Sequence, residues 1–173
     1  KAISVFVFYQ NKILLQRRAL GKYHTPGLWA NTCCTHPYWN EIDTDCASRR
    51  LFEELHLSDL KLENRGQIEY RADVGKGLIE HEVVEIFTAT CSNPPKVIPN
   101  PEEVMEVKWI DPWSARKLIR GYATFRAKLL HMHDVVRPRG TLDPNKRFHY
   151  VLDVFLLEPS NKYLQFLLFT TLD

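Results

Sequence analysis

The sequence has little of what marks a disulfide scaffold, a nucleic-acid binder or a membrane span. It has only four cysteines, Cys33, Cys34, Cys46 and Cys91. Two are adjacent and none forms a Cys-x-x-Cys pair, so a disulfide framework is not expected and a reduced cytoplasm is. The net charge is only +2, without the basic excess that a nucleic-acid footprint needs. No run approaches the about 20 apolar residues of a membrane-spanning helix. The longest candidates, Tyr150–Leu157 and Tyr163–Leu172, are each interrupted by polar residues. Neither a signal peptide nor a repeat nor a low-complexity segment is visible. The chain opens at Lys1, directly in a strand-like run, and a further segment, a removable targeting peptide among the possibilities, is expected ahead of it.

What is present is an ordinary globular composition, 45% hydrophobic and 25% charged over 173 residues. That length suits one domain, residues 1–173, burying roughly two-thirds of the surface of its unfolded chain. Ala2–Tyr9 is β-branched and aromatic, and Gln10-Asn11 turns it into a second strand, Lys12–Gln16. Arg17–Pro26 reads as a basic loop, Leu28–Thr35 as extended, and Pro37–Asp43 as a loop. Asp43 is placed to cap a helix to Leu55, with Ala47, Leu51 and Leu55 as its buried stripe. Strands are expected near Leu60–Tyr70 and Leu78–Thr90 about a Gly75–Gly77 turn, then the Pro-rich loop Asn93–Pro101 and a strand Glu106–Ile110. Asp111-Pro112 opens a helix that Gly121 ends, and Ala123–Val136 has helical spacing. Arg147–Leu157 and Tyr163–Leu172 fit strands or a packed helix equally. The fold class is α/β (α+β), a mixed sheet flanked by helices.

Four constellations bear on chemistry. In Asn31-Thr-Cys-Cys-Thr-His36-Pro37 an extended backbone puts Cys34 and His36 on one face. Nearby positive charge would activate the thiol, or the cysteines are small buried hydrophobes and His36 a satisfied loop residue. Glu80 and Glu82 share a strand face that continues into Val84 and Ile86, where two carboxylates are costly unless they bind a cation or share a proton. Arg49–Glu53 and Arg50–Glu54 are helical i, i+4 pairs that could form a solvated face or, with Glu41, part of a phosphate-handling helix. Arg17, Arg18 and Lys22 form a basic loop able to clamp phosphate or simply face solvent.

Read in order, Gln16-Arg-Arg-Ala-Leu-Gly-Lys22, Pro26-Gly-Leu-Trp29, the Asn31–Pro37 run, Arg49-Arg50…Glu53-Glu54-Leu55, Tyr70-Arg-Ala72 and Glu80-His-Glu82 resemble the type I isopentenyl-diphosphate isomerases over residues 1–112. The resemblance implies a Nudix-like fold and interconversion of isopentenyl and dimethylallyl diphosphate by proton addition and removal on opposite faces of the allylic unit. It implies Cys34 and Glu82 as the proton-transferring pair, with Tyr70 hydrogen-bonded to the glutamate. His36, Glu80 and Glu82 would be ligands of a tightly held divalent metal (Mn²⁺, Zn²⁺ or Mg²⁺). Glu54 and the backbone carbonyl of Cys34 would hold Mg²⁺ on the diphosphate, and Arg18, Lys22 and Arg50 would bind the diphosphate itself. A cytoplasmic monomer with a small-molecule substrate follows, with no nucleic-acid or membrane partner.

Two departures accompany the likeness. The family's two further histidine ligands would precede Lys1. Its carbocation-facing Trp has as counterpart the run Tyr122-Ala-Thr124-Phe-Arg126, with Trp109 and Trp113 as surrogates. The alternatives are a Nudix-type diphosphate hydrolase, which the Arg50 and His56 substitutions in the Nudix box disfavour, and a diphosphate-binding homologue without turnover.

Overall fold

Strand β1, Ala2–Tyr9, is the element on which the others assemble. Residues Ala2, Ile3, Val5, Phe6 and Val7 are all buried, so both faces of this strand are covered. That double burial explains why the run is continuously apolar rather than alternating. The structure, a computed structural model, describes residues 1–23, 25–75, 77–111 and 114–115. All of these lie within the unit Lys1–Arg137.

Along one edge, β1 pairs in parallel with β6 (Leu78–Cys91), from Ala2 opposite Val84 to Tyr9 opposite Cys91. Strand β5 (Glu63–Gly75) adds to β6 antiparallel. The other edge of β1 is divided between two strands. At its end, Phe8 and Tyr9 pair with Ile13 and Lys12 of β2 (Lys12–Arg18). At its start, Ile3, Ser4 and Val5 pair with Thr35, Cys34 and Cys33 of β4 (Cys33–Thr35). β2 in turn carries the two-residue β3 (Trp29–Ala30) and β7 (Val104–Ile110). The result is a mixed seven-stranded sheet.

The division of the β1 edge depends on one hydroxyl. The hairpin register would next place Val7 opposite Leu14, but the strands part there. The Val7 amide instead donates to Thr32 Oγ1 at 2.9 Å, and that hydroxyl donates to the Leu14 carbonyl at 2.7 Å. Thr32 thus stands in for the missing ladder bonds, as buried backbone groups require. Beside it, the fully buried amide of Asn31 donates to Ser4 Oγ (2.9 Å), Val5 O (3.1 Å) and Cys33 O (2.6 Å). Two N–H groups serve three acceptors, so one bond is shared.

One face of the sheet packs on α1 (Asp43–Leu55). Ile3, Val5, Val7, Leu14, Cys33, Phe87, Ala89 and Val104 meet Cys46, Ala47, Leu51 and Leu55 in one cluster. The helix ends at His56, which adopts a left-handed conformation. Its last carbonyls are then satisfied by the following loop: Ile98 N to Leu55 O at 2.9 Å, Asn100 N to Glu54 O at 2.8 Å, and Asn100 Nδ2 to Glu53 O at 3.3 Å.

Several expectations shift. Asp43 is the first helical residue and makes no capping bond; Ile42 precedes the helix. Asp43 instead contributes negative charge to the first turn and pairs with Lys1 at 2.5 Å. β2 extends through Arg18, because pairing with β7 outlasts the apolar residues. The extended run 28–35 is two short strands separated by Asn31-Thr32, whose side chains replace backbone pairing. β5 begins at Glu63, since Leu60 and Leu62 pack on the helix-side core. Asp111 does cap, accepting from Ser114 N at 3.0 Å. The expected helix 123–136, the end at Gly121, and the segments 147–157 and 163–172 lie outside the described residues.

Replacing Thr32 by Val keeps the shape but leaves Val7 N–H and Leu14 C=O buried without partners. At about 1–3 kcal/mol per orphaned group, urea unfolding of Thr32→Val is expected to show a loss of about 2–4 kcal/mol. Thr32→Ser, which keeps the hydroxyl, is expected to lose markedly less.

Candidate active site

Strand β4 is the centre of the site because alternation sends its neighbouring cysteines to opposite faces of the sheet. Cys33 enters the helix-side core and is fully buried. Burial, with the Glu54 carboxylate close by, pushes its thiol well above the usual range, so it stays protonated. Cys34 is half-buried on the other face, near Tyr70.

Around Cys34 the sheet gathers an acid–base cluster. Tyr70 of β5 lies directly opposite Glu82 of β6. Glu80 lies two residues away on the same face, so both carboxylates meet the phenol. Tyr70 Oη stands 2.6 Å from Glu80 Oε1 and 2.7 Å from Glu82 Oε2. The other oxygen of Glu82 lies 2.6 Å from His36 Nε2. Burial raises the Tyr70 pKa far above its ordinary value, reinforced by the neighbouring Cys34 and the two glutamates, and the phenol keeps its proton. Two carboxylates on one phenol place negative charge close together, an arrangement that a shared proton or a bound cation would favour.

On the helix side lies a second cluster, of cations and carboxylates. The Arg50 guanidinium donates to Glu53 Oε2 at 2.8 Å and Glu54 Oε1 at 2.6 Å. Gln16 Nε2 donates to the other oxygen of Glu54 at 3.0 Å. Glu54 is 3% exposed. Burial pushes its carboxyl up, against the pull of Arg50 and Gln16. Lys22 Nζ contacts Glu103 at 2.5 Å, and Glu103 also lies 3.5 Å from Arg50. Arg18 opens the same edge: its amide donates to Leu28 O and it stands in register with Val104. Arg50–Glu54 is therefore a buried pair rather than a solvated one. Arg49 closes a structural bridge, donating to both oxygens of Glu41 at 2.7 and 2.8 Å and stacking on Tyr38. Arg49 is the main influence holding the Glu41 carboxyl down, at about 2. Glu41 is thereby occupied by the loop-to-helix junction.

The donor sets at both places suit a divalent cation. Near Cys34 they are an imidazole and two carboxylates. Near Glu54, Gln16 Oε1 is buried without a hydrogen-bond partner among the described residues, beside a carboxylate that could share an ion with it. Among the described residues no three His, Cys, Asp or Glu side chains converge on one point. His36 and Glu82 are in contact, and Glu80 would have to turn from the Tyr70 hydroxyl to join them.

Of the residues singled out from sequence, the structure brings together Cys34, Tyr70, Glu80, Glu82 and His36 on one face. It sets Lys22, Arg50 and Glu54 together on the other. Trp109 does not serve the Cys34 face: it packs on the helix-side core and edge-on against Tyr9, 6.0 Å between ring centroids. Trp113 and Thr124 lie outside the described residues. Glu103 was not foreseen, because it sits in a loop with no motif around it. Asn31 and Thr32 were visible as part of a run, but their anchoring role was not.

A family model described as the NUDIX domain matches residues 1–133. The chain belongs to the Nudix family. Nudix proteins commonly work with divalent metals, Mg²⁺ above all. This Nudix chain is 65% identical over 111 residues to a protein of Dinoroseobacter shibae named isopentenyl-diphosphate Delta-isomerase, covering 64% of this chain and 63% of that one. It is 63% identical over 109 residues to a protein of the same name from Jannaschia sp., covering 63% and 62%. The matched segment spans less than two-thirds of either relative. In fold it resembles the MutT protein of Methanosarcina mazei Go1 (TM-score 0.61, 14% identity, covering 78% of this chain and 90% of that one). It likewise resembles the Nudix hydrolase RenU of M. smegmatis (TM-score 0.60, 20% identity, covering 82% and 88%). Among the described residues no helix is long and apolar enough to cross a membrane.

The two adjacent cysteines are expected to differ sharply in reactivity. In the folded protein at pH 8, iodoacetamide should modify the half-buried Cys34 well before Cys33 or Cys46. Both of those are fully buried, and burial pushes the Cys46 thiol up to about 11. Peptide mass spectrometry over a time course reads the order directly, and equal rates would contradict it.

Proposed function

We propose that this chain interconverts isopentenyl and dimethylallyl diphosphate, as a Nudix-fold isomerase. The observation that carries the reading is the Cys34–Tyr70–Glu82 constellation, with a cluster of cations and carboxylates around Arg50 on the other side of the same strand. The likeness to relatives named isopentenyl-diphosphate Delta-isomerase supports it.

The chemistry asks for two proton sites and a place dry enough for a tertiary cation. An unactivated alkene is a very weak base, so its protonation needs a strong donor held within reach. Protonation at the terminal methylene carbon leaves positive charge on the tertiary carbon. Loss of a proton from the neighbouring carbon then forms the new double bond. Cys34 and Glu82 are assigned as the two proton sites. Glu82 is oriented through both oxygens, by His36 and by Tyr70. Tyr70, kept protonated by burial and its acidic neighbours, positions that carboxyl without competing for its role. His36, Glu80 and Glu82 are the donors assigned to a divalent metal, whose charge would sharpen the acidity of the cluster. Lys22, Arg50 and Arg18 are assigned to the diphosphate, and Glu54 with the Cys34 carbonyl to its Mg²⁺.

Proton NMR of isopentenyl diphosphate with the protein and Mg²⁺ in D₂O, with and without Mn²⁺ or Zn²⁺, tests the reading. Dimethylallyl diphosphate carrying deuterium at the exchanged positions is the expected product. Released phosphate would point instead to hydrolysis. Cys34→Ala is expected to lose about 10²–10⁴-fold in turnover, the usual worth of a placed proton donor, and Cys33→Ala far less. Glu54→Gln is expected chiefly to raise the Mg²⁺ concentration needed for half-maximal activity, and an unchanged Mg²⁺ dependence would remove its assignment.

A further inference from the structure

The helix-side cluster contains two carboxylates that the proposed reaction does not use, Glu53 and Glu103, and Glu103 contacts both Lys22 and Arg50. Glu103 Oε2 lies 2.5 Å from Lys22 Nζ and 3.5 Å from Arg50 Nη2. A single anionic oxygen therefore spans two cations, the arrangement a phosphoryl oxygen would adopt between them. Glu103 does not reach this point by chance of rotamer. Its own amide donates to Asn100 O, and its carbonyl accepts from Ala19 N at 2.9 Å. Asn100 is tied to the end of α1, and Ala19 lies in the basic loop, so the loop bearing Glu103 is pinned to both cation-bearing segments. Burial opposes ionisation of Glu103, but the Lys22 ammonium and Arg50 outweigh it and keep the carboxylate charged.

The charge balance has a consequence. Arg50 faces three carboxylates, Glu53, Glu54 and Glu103, and Lys22 faces one. A free diphosphate arriving at Lys22 and Arg50 meets cations already paired, plus carboxylates that repel it. A diphosphate arriving with Mg²⁺ brings positive charge for those carboxylates to attract. We infer that Glu103 is a specificity-determining residue that occupies the anion position between Lys22 and Arg50 and makes the site select Mg²⁺-bound diphosphate over the free anion. This inference rests on the assignment of Lys22 and Arg50 to diphosphate.

Calorimetric titration of inorganic pyrophosphate into the folded chain, in Mg²⁺ and separately in EDTA, tests it. Glu103→Gln is nearly isosteric and keeps an oxygen for Lys22, so it removes charge with little change of shape. In EDTA it is expected to bind pyrophosphate about tenfold or more tightly than the parent, as removal of a close like charge implies. In Mg²⁺ the advantage is expected to shrink. Glu103→Asp, which keeps the charge, is expected to retain the parent's Mg²⁺ preference. If Glu103→Gln binds the free anion no better than the parent, while the parent binds Mg²⁺-pyrophosphate, the role of Glu103 is overturned and the diphosphate assignment stands. If the parent binds pyrophosphate under neither condition, the diphosphate assignment falls and the inference falls with it.

Discussion

The hydroxyl of Thr32 is the interaction on which the arrangement turns. Where β1 and β2 part, it takes the Val7 amide and reaches the Leu14 carbonyl, so the parting leaves neither group orphaned. Into that opening comes β4, held by the Asn31 amide against β1 and against its own Cys33 carbonyl. Were β1 and β2 paired along their whole length, the edge of β1 that β4 uses would be closed. The cysteine pair would then have no strand to sit on.

From that placement the two chemistries of the site follow. A strand has two faces, and consecutive residues in it cannot share one. Cys33 therefore falls among apolar side chains and beside Glu54, where burial holds it as an inert thiol. Cys34 falls beside Tyr70 and the paired glutamates. Three residues of strand separate the Cys34–Tyr70–Glu82 cluster from a cluster of paired cations and carboxylates.

The helix-side cluster also shows why ion pairs must be read with their surroundings. Arg49 and Arg50 are adjacent, and both make i, i+3 or i, i+4 contacts on α1. Arg49 spends its guanidinium on Glu41 and Tyr38, fastening the loop before the helix. Arg50 is turned toward the sheet, where Glu54 is almost wholly buried. Leaving a buried carboxylate unpaired is expensive, so Arg50 and Gln16 serve the fold as well as any ligand. Glu103 completes the set from a loop remote in sequence.

Much of this was legible in the amino-acid sequence, because the signals are local. A continuous β-branched and aromatic run marked β1, and the 47–51–55 stripe marked the buried face of α1. Period-two alternation put Glu80 with Glu82 and Cys34 with His36. Spacing along one strand determines which side chains share a face, without reference to any partner. Pairing between strands is different: it joins residues far apart in the chain and leaves no local trace. The pairing of Tyr70 with Glu82 was reachable only through the family resemblance, and only the tertiary structure decided that Glu103 lies between Lys22 and Arg50. It likewise decided that Thr32 spans a break in the sheet and that Trp109 belongs to the core. The sequence by itself determined where β1, β2, α1 and β6 lie and which side chains of a strand or helix share a face. Register, and the meeting of charges carried by separate segments, were set by how those elements close on one another, because the hydrogen bonds and ion pairs involved exist only once the chain has folded.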